Sequence, residues 1–374
     1  MIKYVLFTIV LSISLPFLRH LMSSAHAYQL ELQVAQLAVK RASVLTKALS
    51  DHIATTRQSG TQIKDDKSPV TVGDYAAQAI VNHAIKKNFP NDEIVGEEDS
   101  EDLKADASLS KQVFELIQKY QQSDKFSDVL GSLDSEEEVF KSIDYGDSQG
   151  GAQGRFWALD PIDGTKGFLR GDQYAVCLAL IENGKVVLGV IGAPNLPAHI
   201  ISNTESSGAI GGLYSAVKGY GSYVTDLFSA DAPPALDKQR KIEMKSTTDP
   251  KKLVVCEGVE KGHSSHSEQA QIKDILGIPQ DSTINLDSQV KYCVLAKGEA
   301  DIYLRLPISD TYREKIWDHA AGNILITEAG GRVGDITGTP LDFSKGRFLQ
   351  SQGVIAANSA IYDKVIEAVQ QVKK

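Results

Sequence analysis

A chain of 374 residues, 42% of them hydrophobic, has material for one large or two medium domains with real cores, and its composition excludes a fibrous or disordered protein. Its 39 Lys and Arg against 48 Asp and Glu leave a formal charge of −9. That balance excludes a general affinity for nucleic-acid polymers and requires any anionic ligand to be held locally, by metal ions and a few placed cations.

Residues 4–18 are strongly apolar, with Lys3 before them and Ala25-His26-Ala27 after, the pattern of a secretory signal. The run is too short and too interrupted by Pro16 for a stable membrane span. The chain contains no Asn-x-Ser/Thr sequon, and Cys177, Cys256 and Cys293 are odd in number, far apart and set in apolar surroundings, as reduced core thiols of a cytoplasmic protein are. We expect 1–27 to be an N-terminal extension, with Met22 as the initiator. A secretory or organellar targeting segment is the alternative.

Leu30, Val34, Leu37, Ala38, Ala42 and Leu45 recur near the helical period and predict an amphipathic helix over 30–49. Thr71-Val72-Gly73-Asp74 precedes a second helical run over 75–89, which puts Asp74 at a helix start, where a carboxylate is favoured. Ile94-Val95 leads into Gly96-Glu97-Glu98-Asp99, which by itself reads as a solvated acidic turn. From 99 to 153 the chain is acidic and polar. Helices over 111–120 and 136–143 are conceivable, but the weak periodicity favours a solvated insert without chemistry, ending in a flexible tether at 146–151.

Residues 156–159 are an apolar run that reads as a buried strand, and Pro161 ends its ladder. A turn at Asp160-Pro161-Ile162-Asp163 aims both carboxylates and the Ile162 carbonyl at one point, three hard oxygens suited to Mg²⁺. Thr165 then stands where its hydroxyl orients a water, and the amides of Gly164 and Thr165, if they open a helix, cradle a phosphate. The plain alternative is an Asp-Pro turn followed by an Asp-Gly turn.

A hairpin joins 175–181 to 186–191, further strands cover 213–217 and 221–224, and 230–237 is a loop. Strands over 252–256, 283–286 and 302–306 then alternate with helices over 267–276, 289–297 and 320–329. Asp318 occupies the N-cap position of the last. The fold class is therefore α/β, with an α+β first half and an α/β second half, divided as 28–205 and 206–374. His263, Lys291 and Arg305 stand out in the second half, although isolated basic residues commonly lie on solvated faces.

Gly96-Glu97-Glu98, Asp160-Pro161-Ile162-Asp163-Gly164-Thr165 and Trp317-Asp318-His319-Ala320-Ala321-Gly322, in that order, resemble the three signatures of the inositol monophosphatase superfamily of lithium-sensitive, Mg²⁺-dependent phosphatases. Within it, Gly154-Arg155-Phe156-Trp157, the 166–171 and 259–266 segments and Leu286-Asp287-Ser288-Gln289-Val290-Lys291-Tyr292-Cys293 resemble the eukaryotic 3′(2′),5′-bisphosphate nucleotidases. The likeness runs from about Tyr28 to the C-terminus.

This resemblance implies a five-layer αβαβα sandwich with the active site between the halves. Two or three Mg²⁺ would be held by Glu97, Asp160, the Ile162 carbonyl, Asp163 and Asp318, with Asp74 and Thr165 activating water. Gly164, Thr165, His263, Ser288, Lys291, Arg305 and Asp318 would bind a small nucleotide bisphosphate. The implied reaction removes the 3′-phosphate of adenosine 3′,5′-bisphosphate, with 3′-phosphoadenylyl sulfate as a second substrate, in a lithium-inhibited monomer serving sulfate assimilation. The alternatives are an inositol phosphate or sugar bisphosphate phosphatase of the same fold, against which the basic cluster discriminates because a monophosphate-specific enzyme has no need of it, and a non-catalytic metal or nucleotide sensor, which has no need of Asp74 and Thr165.

Overall fold

The computed structural model describes residues 27–58, 68–122, 125–259, 265–307, 309 and 311–373. The expected N-terminal extension, but for residue 27, and His263 lie outside the described residues.

Two helices, α1 (Gln29–Gln58) and α2 (Ser68–Asn88), lead into β1 (Glu93–Gly96). The helices α3 (Glu101–Ala105), α4 (Ala107–Gln121), α5 (Ser127–Leu130) and α6 (Glu136–Asp144) follow, then β2 (Arg155–Asp163) and α7 (Thr165–Arg170). β3 (Ala175–Glu182), β4 (Lys185–Ile200), β5 (Ser206–Val217), β6 (Gly221–Asp226) and β7 (Arg240–Ile242) complete a seven-stranded sheet ordered as in the chain. Only β1 and β2 in it are parallel. The hairpin expected after β3 turns on Asn183 and Gly184, at φ 50° and 73°, as a two-residue turn of this kind requires.

The remaining elements are β8 (Val255–Glu257), α8 (His266–Leu276), β9 (Thr283–Asn285), α9 (Val290–Ala296), β10 (Ile302–Arg305), α10 (Ala320–Glu328), β11 (Gly331–Gly334), β12 (Val354–Asn358) and α11 (Tyr362–Val372). Their strands form a mixed five-stranded sheet in the order β11-β12-β10-β8-β9. The first sheet runs on to Ile242, so the division expected at 205/206 falls between β4 and β5, which are paired at Ile200 and Ser206.

Alternation along the strands explains the layers. Trp157 and Leu159 of β2 face α1 and α2, while Phe156 and Ala158 face a middle core shared with α9 and α10. On the second sheet Tyr303 joins that middle core, and Ile302 and Leu304 pack outward with Ile272 of α8 and Val365 of α11. The result is the expected helix-sheet-helix-sheet-helix sandwich. Leu30 is the one apolar residue of the predicted stripe on α1 that faces solvent, at 55% exposure.

The acidic insert departs from expectation. Val113 and Ile117 of α4, Leu133, and Val139 and Ile143 of α6 are buried in a core with Val72, Tyr75, Ala76 and Ile80 of α2. Buried Val113 and Ile117, with partly buried Leu109, Phe114, Leu116 and Tyr120, dock α4, and Val139, Ile143 and Phe140 dock α6, while polar Ser110, Gln121 and Ser142 share the buried faces, which is why the periodicity reads weakly. Asp106 and Ser135 cap α4 and α6 by accepting from backbone amides one turn on. Nor is 146–151 a free tether: the Ser148 amide donates to Ile94 and the Gly96 amide to Gly146. Ile143→Ala is expected to cost about 2–5 kcal/mol in urea unfolding. A change within about 0.5 kcal/mol would return the insert to the solvated class.

Candidate active site

β1 and β2 run parallel in the register Gly96 to Leu159, so the chain leaves both strands side by side, with Glu97 next to Asp160. β2 does not stop at Pro161. It pairs with β3 at Asp160/Cys177 and again at Asp163/Ala175, three residues against two, which is a bulge. Pro161 has no amide to contribute to a ladder and sits inside the bulge, so the two aspartates stay at the strand end. Gly164, at φ 91°, then swings the chain into α7, and a Cβ there would lie 2.8 Å from Ser288 Cβ.

α2 passes close over this end. A Cβ on Gly73 would lie 2.9 Å from Ile162 Cδ1, so glycine is what lets the helix approach and set Asp74, 7% exposed, above the bulge. The helix starts at Ser68, so Asp74 lies in its second turn rather than at its start. Buried Gln78, one turn further, fixes Glu98: its Nε2 donates to the Glu98 carbonyl at 2.6 Å and its Oε1 accepts from the Glu98 amide at 3.0 Å.

A cavity of ≈ 620 Å³ opens between the halves, lined on one side by Asp74, Glu97, Glu98, Asp160, Asp163, Gly164 and Thr165 and on the other by Ser288, Lys291, Arg305 and Asp318. Every sequence-expected site residue among the described residues therefore meets in one cleft. Asp318 precedes the N-cap of α10, which is His319, so its carboxylate is not committed to a cap. Lys291 and Arg305 are not on solvated faces. Lys291 is 6% exposed and donates to the carbonyls of Leu286 and Ser288 at 3.2 and 2.7 Å, 5.4 Å from the Tyr303 ring centre. Arg305 Nε donates to Glu314 at 2.7 Å. Ser288, at φ 60°, holds a backbone conformation rare for a non-glycine residue, as cavity-lining residues at functional sites often do.

Several residues escaped the sequence reading. Gln289 donates its amide to Asp163 Oδ2 at 2.5 Å and its Nε2 to the Trp317 carbonyl at 2.8 Å, and accepts from the Gly322 amide at 3.1 Å. His319 lies between Tyr292 (2.8 Å, Nδ1) and Glu314 (3.2 Å, Nε2). Burial lowers its pKa, and the neutral ring then donates from Nε2 and accepts the Tyr292 hydroxyl at Nδ1. Both Gln289 and Tyr292 fall in the quoted 286–293 segment, but nothing in their spacing signals these partners. Arg347 had no signal at all.

Electrostatics single out the carboxyls. Burial and the charges of Glu98 and Glu97 push Asp74 well above the usual range. Burial, then Glu97, Asp163 and Asp318, does the same to Asp160, and burial followed by Asp163 to Asp318. Glu97 keeps open surface in the cleft, yet protein crowds it closely enough that burial, followed by Asp163, raises it. Asp163 is raised by burial although Lys291 opposes the shift. Glu314 behaves oppositely: burial works to raise it, but His319 and Arg305 override this and hold it at about 2.

A divalent cation fits this wall. Asp160, 2% exposed, has a buried Oδ1 without a hydrogen-bond partner among the described residues, an expensive arrangement unless a cation takes the lone pairs. Glu314, Asp318 and His319 also bring ligand atoms within 4.8 Å of one another. Glu314 and His319 already satisfy each other and Arg305, so of these three it is Asp318 that remains for a metal.

Because these carboxyls bind protons more tightly folded than unfolded, they favour folding at low pH, and that contribution is lost as pH rises through their folded values, about 7 for Glu98. In chelator, the thermal midpoint is expected to rise as pH falls from about 7.5 to about 5.5, and Asp160→Asn to raise it at the upper pH and flatten the slope. A wild-type midpoint that drops over that interval would contradict the like-charge account.

The chain matches the profile of the inositol monophosphatase family over residues 29–374. A 3′(2′),5′-bisphosphate nucleotidase 1 of Candida albicans strain SC5314 is 66% identical over 356 residues, covering 94% of this chain and 98% of that one. A 3′(2′),5′-bisphosphate nucleotidase of Emericella nidulans is 51% identical over 359 residues, covering 93% and 99%. An inositol monophosphatase structure from Zymomonas mobilis shares the fold, with a TM-score of 0.56 at 19% identity over 92% of this chain and 100% of that one. No helix among the described residues is long and apolar enough to cross a membrane. With the family profile spanning all but the first 28 residues, this chain belongs to the inositol monophosphatase family.

Proposed function

We propose that this chain is an Mg²⁺-dependent 3′(2′),5′-bisphosphate nucleotidase that hydrolyses the 3′-phosphate of adenosine 3′,5′-bisphosphate to AMP and phosphate, and acts also on 3′-phosphoadenylyl sulfate. The observation that carries the reading is the two-sided cleft, with buried carboxylates on one wall and Lys291 and Arg305 on the other. The identity to relatives named for this activity supports it.

Glu97, Asp160, the Ile162 carbonyl, Asp163 and Asp318 would hold the metal, and the orphaned Asp160 oxygen supports that assignment. Bound there, Mg²⁺ supplies positive charge against the phosphate dianion and makes water more acidic. Asp74, whose burial makes it a stronger base than a free carboxylate, takes the proton of the attacking water, and the Thr165 hydroxyl orients that water. The water oxygen bonds to phosphorus, the bond from phosphorus to the 3′-oxygen breaks, and that oxygen takes a proton from solvent while Asp74 returns to solvent the one it accepted. The Gly164 and Thr165 amides at the start of α7 face the phosphate in this reading.

Arg305, Lys291 and Ser288, with His263, bind the second phosphate, which a monophosphate substrate lacks. The buried free thiols of Cys177, Cys256 and Cys293 support a reducing, cytoplasmic setting. Because all the proposed groups come from one chain, the reading needs only a monomer. The physiological role that follows is removal of the by-product nucleotide of sulfate assimilation.

Phosphate release measured with Mg²⁺ is expected from adenosine 3′,5′-bisphosphate in preference to inositol 1-phosphate and fructose 1,6-bisphosphate, and to be suppressed by Li⁺. Asp163→Asn is expected to lower kcat/KM by about 10³-fold, the scale of a lost electrostatic contact at a reacting phosphate, with the fold intact by circular dichroism. Preference for either other substrate would keep the metal site and discard the cation clamp. Near-normal turnover by Asp163→Asn would discard the metal site.

A further inference from the structure

Arg347, on the connection between β11 and β12, reaches across the two halves. Its Nη2 donates to the Gly96 carbonyl at 2.5 Å, and its Nη1 to the carbonyls of Gly146 and Ser148 at 3.2 and 3.0 Å. The same guanidinium lies over the Trp317 indole, 4.7 Å from the ring centre. The indole is set by stacking rather than hydrogen bonding, because its buried Nε1 has no partner among the described residues. Lys315 lies 4.8 Å from the same ring centre. The backbone around Arg347 is itself anchored, since its carbonyl accepts from the Ile316 amide at 3.1 Å and the Leu349 amide donates to Glu314 at 2.8 Å.

Gly96 is the residue before Glu97, and Trp317 is the residue before Asp318. One side chain thus grips the backbone ahead of an acid in the first half and the side chain ahead of an acid in the second. We propose that Arg347 is a positioning residue of the metal centre, fixing Glu97 and Asp318 relative to each other across the cleft. This rests on the metal reading above. A planar fork with five donors can serve three carbonyls while stacking on a ring, and a lysine ammonium cannot. Residues that orient metal ligands without touching the metal act on its affinity.

The test is thermal unfolding of the full chain titrated with Mg²⁺ alone, without substrate, in wild type, Arg347→Lys and Arg155→Lys. Arg155 pairs with Glu31 and Asp92 at 2.8 Å each and does not line the cavity, so it reports a purely structural loss. Arg347→Lys is expected to raise the Mg²⁺ concentration at half-maximal stabilisation about 10-fold or more. Arg155→Lys is expected to lower the melting point without moving that concentration. If Arg347→Lys does not fold, Trp317→Phe, which keeps a ring in the core but shrinks the platform, is expected to shift the Mg²⁺ midpoint in the same direction. A wild-type midpoint in whichever of these variants folds overturns the proposal. A wild type that Mg²⁺ does not stabilise overturns it together with the metal reading.

Discussion

Like charge gathered at the ends of two parallel strands is the constraint that the rest of this structure answers to. Burial raises the proton affinity of Asp160, Asp163, Glu97, Asp318 and Asp74, and neighbouring carboxylates add to the rise in all of them but Asp163. Left to side-chain preference, such a group would splay into water. Pairing each acid with a buried base would hold the cluster together, but it would use up the oxygens a cation needs.

The chain takes a third route, fixing the acids largely through the backbone beside them. Gln78 clasps the amide and carbonyl of Glu98, and Arg347 holds the carbonyl of Gly96, so Glu97 is bracketed without its own oxygens being taken by those clamps. Gln289 grips the Trp317 carbonyl next to Asp318 and takes only one oxygen of Asp163. Asp160 is held by strand pairing and by its contact with Glu97, and its Oδ1 has no hydrogen-bond partner among the described residues. A site built this way is rigid in its backbone and unsatisfied in its side chains, which is the condition for binding a hard cation strongly.

What was legible in the sequence follows from the same division. The acids occur in short contiguous motifs at element ends, so their identity could be read directly, and the alternation of strands and helices after 252 exposed the second half. The clamps could not be read, because each joins positions separated by 20 to 251 residues and obeys no local period. Pro161 reads as a terminator because a regular ladder cannot include it, yet a bulge accommodates it. Gly73 lies in the stretch expected to precede the second helix, yet it sits within α2, where close approach to Ile162 outweighs a cost of about 1 kcal/mol. The insert hid its helices because polar Ser110, Gln121 and Ser142 interrupt the apolar pattern of their buried faces.

The two walls of the cleft are not independent. Lys291 opposes the rise of Asp163, and Asp163 in turn favours the charged form of Lys291, whose burial works against it. With no other ion present, each wall is thus part of the other's counter-charge, and Arg305 is shared in the same way between Asp318 and Glu314. A divalent cation on the acidic wall competes for the negative charge that Lys291 and Arg305 lean on, which leaves their positive charge less compensated and more attractive to an anion. By linkage, an anion on the basic wall must strengthen cation binding by the same factor. A chain of formal charge −9 can therefore hold a multiply charged anion without a basic surface. In the proposed reading, the attraction would be created inside the cleft by a cation held on the carboxylates.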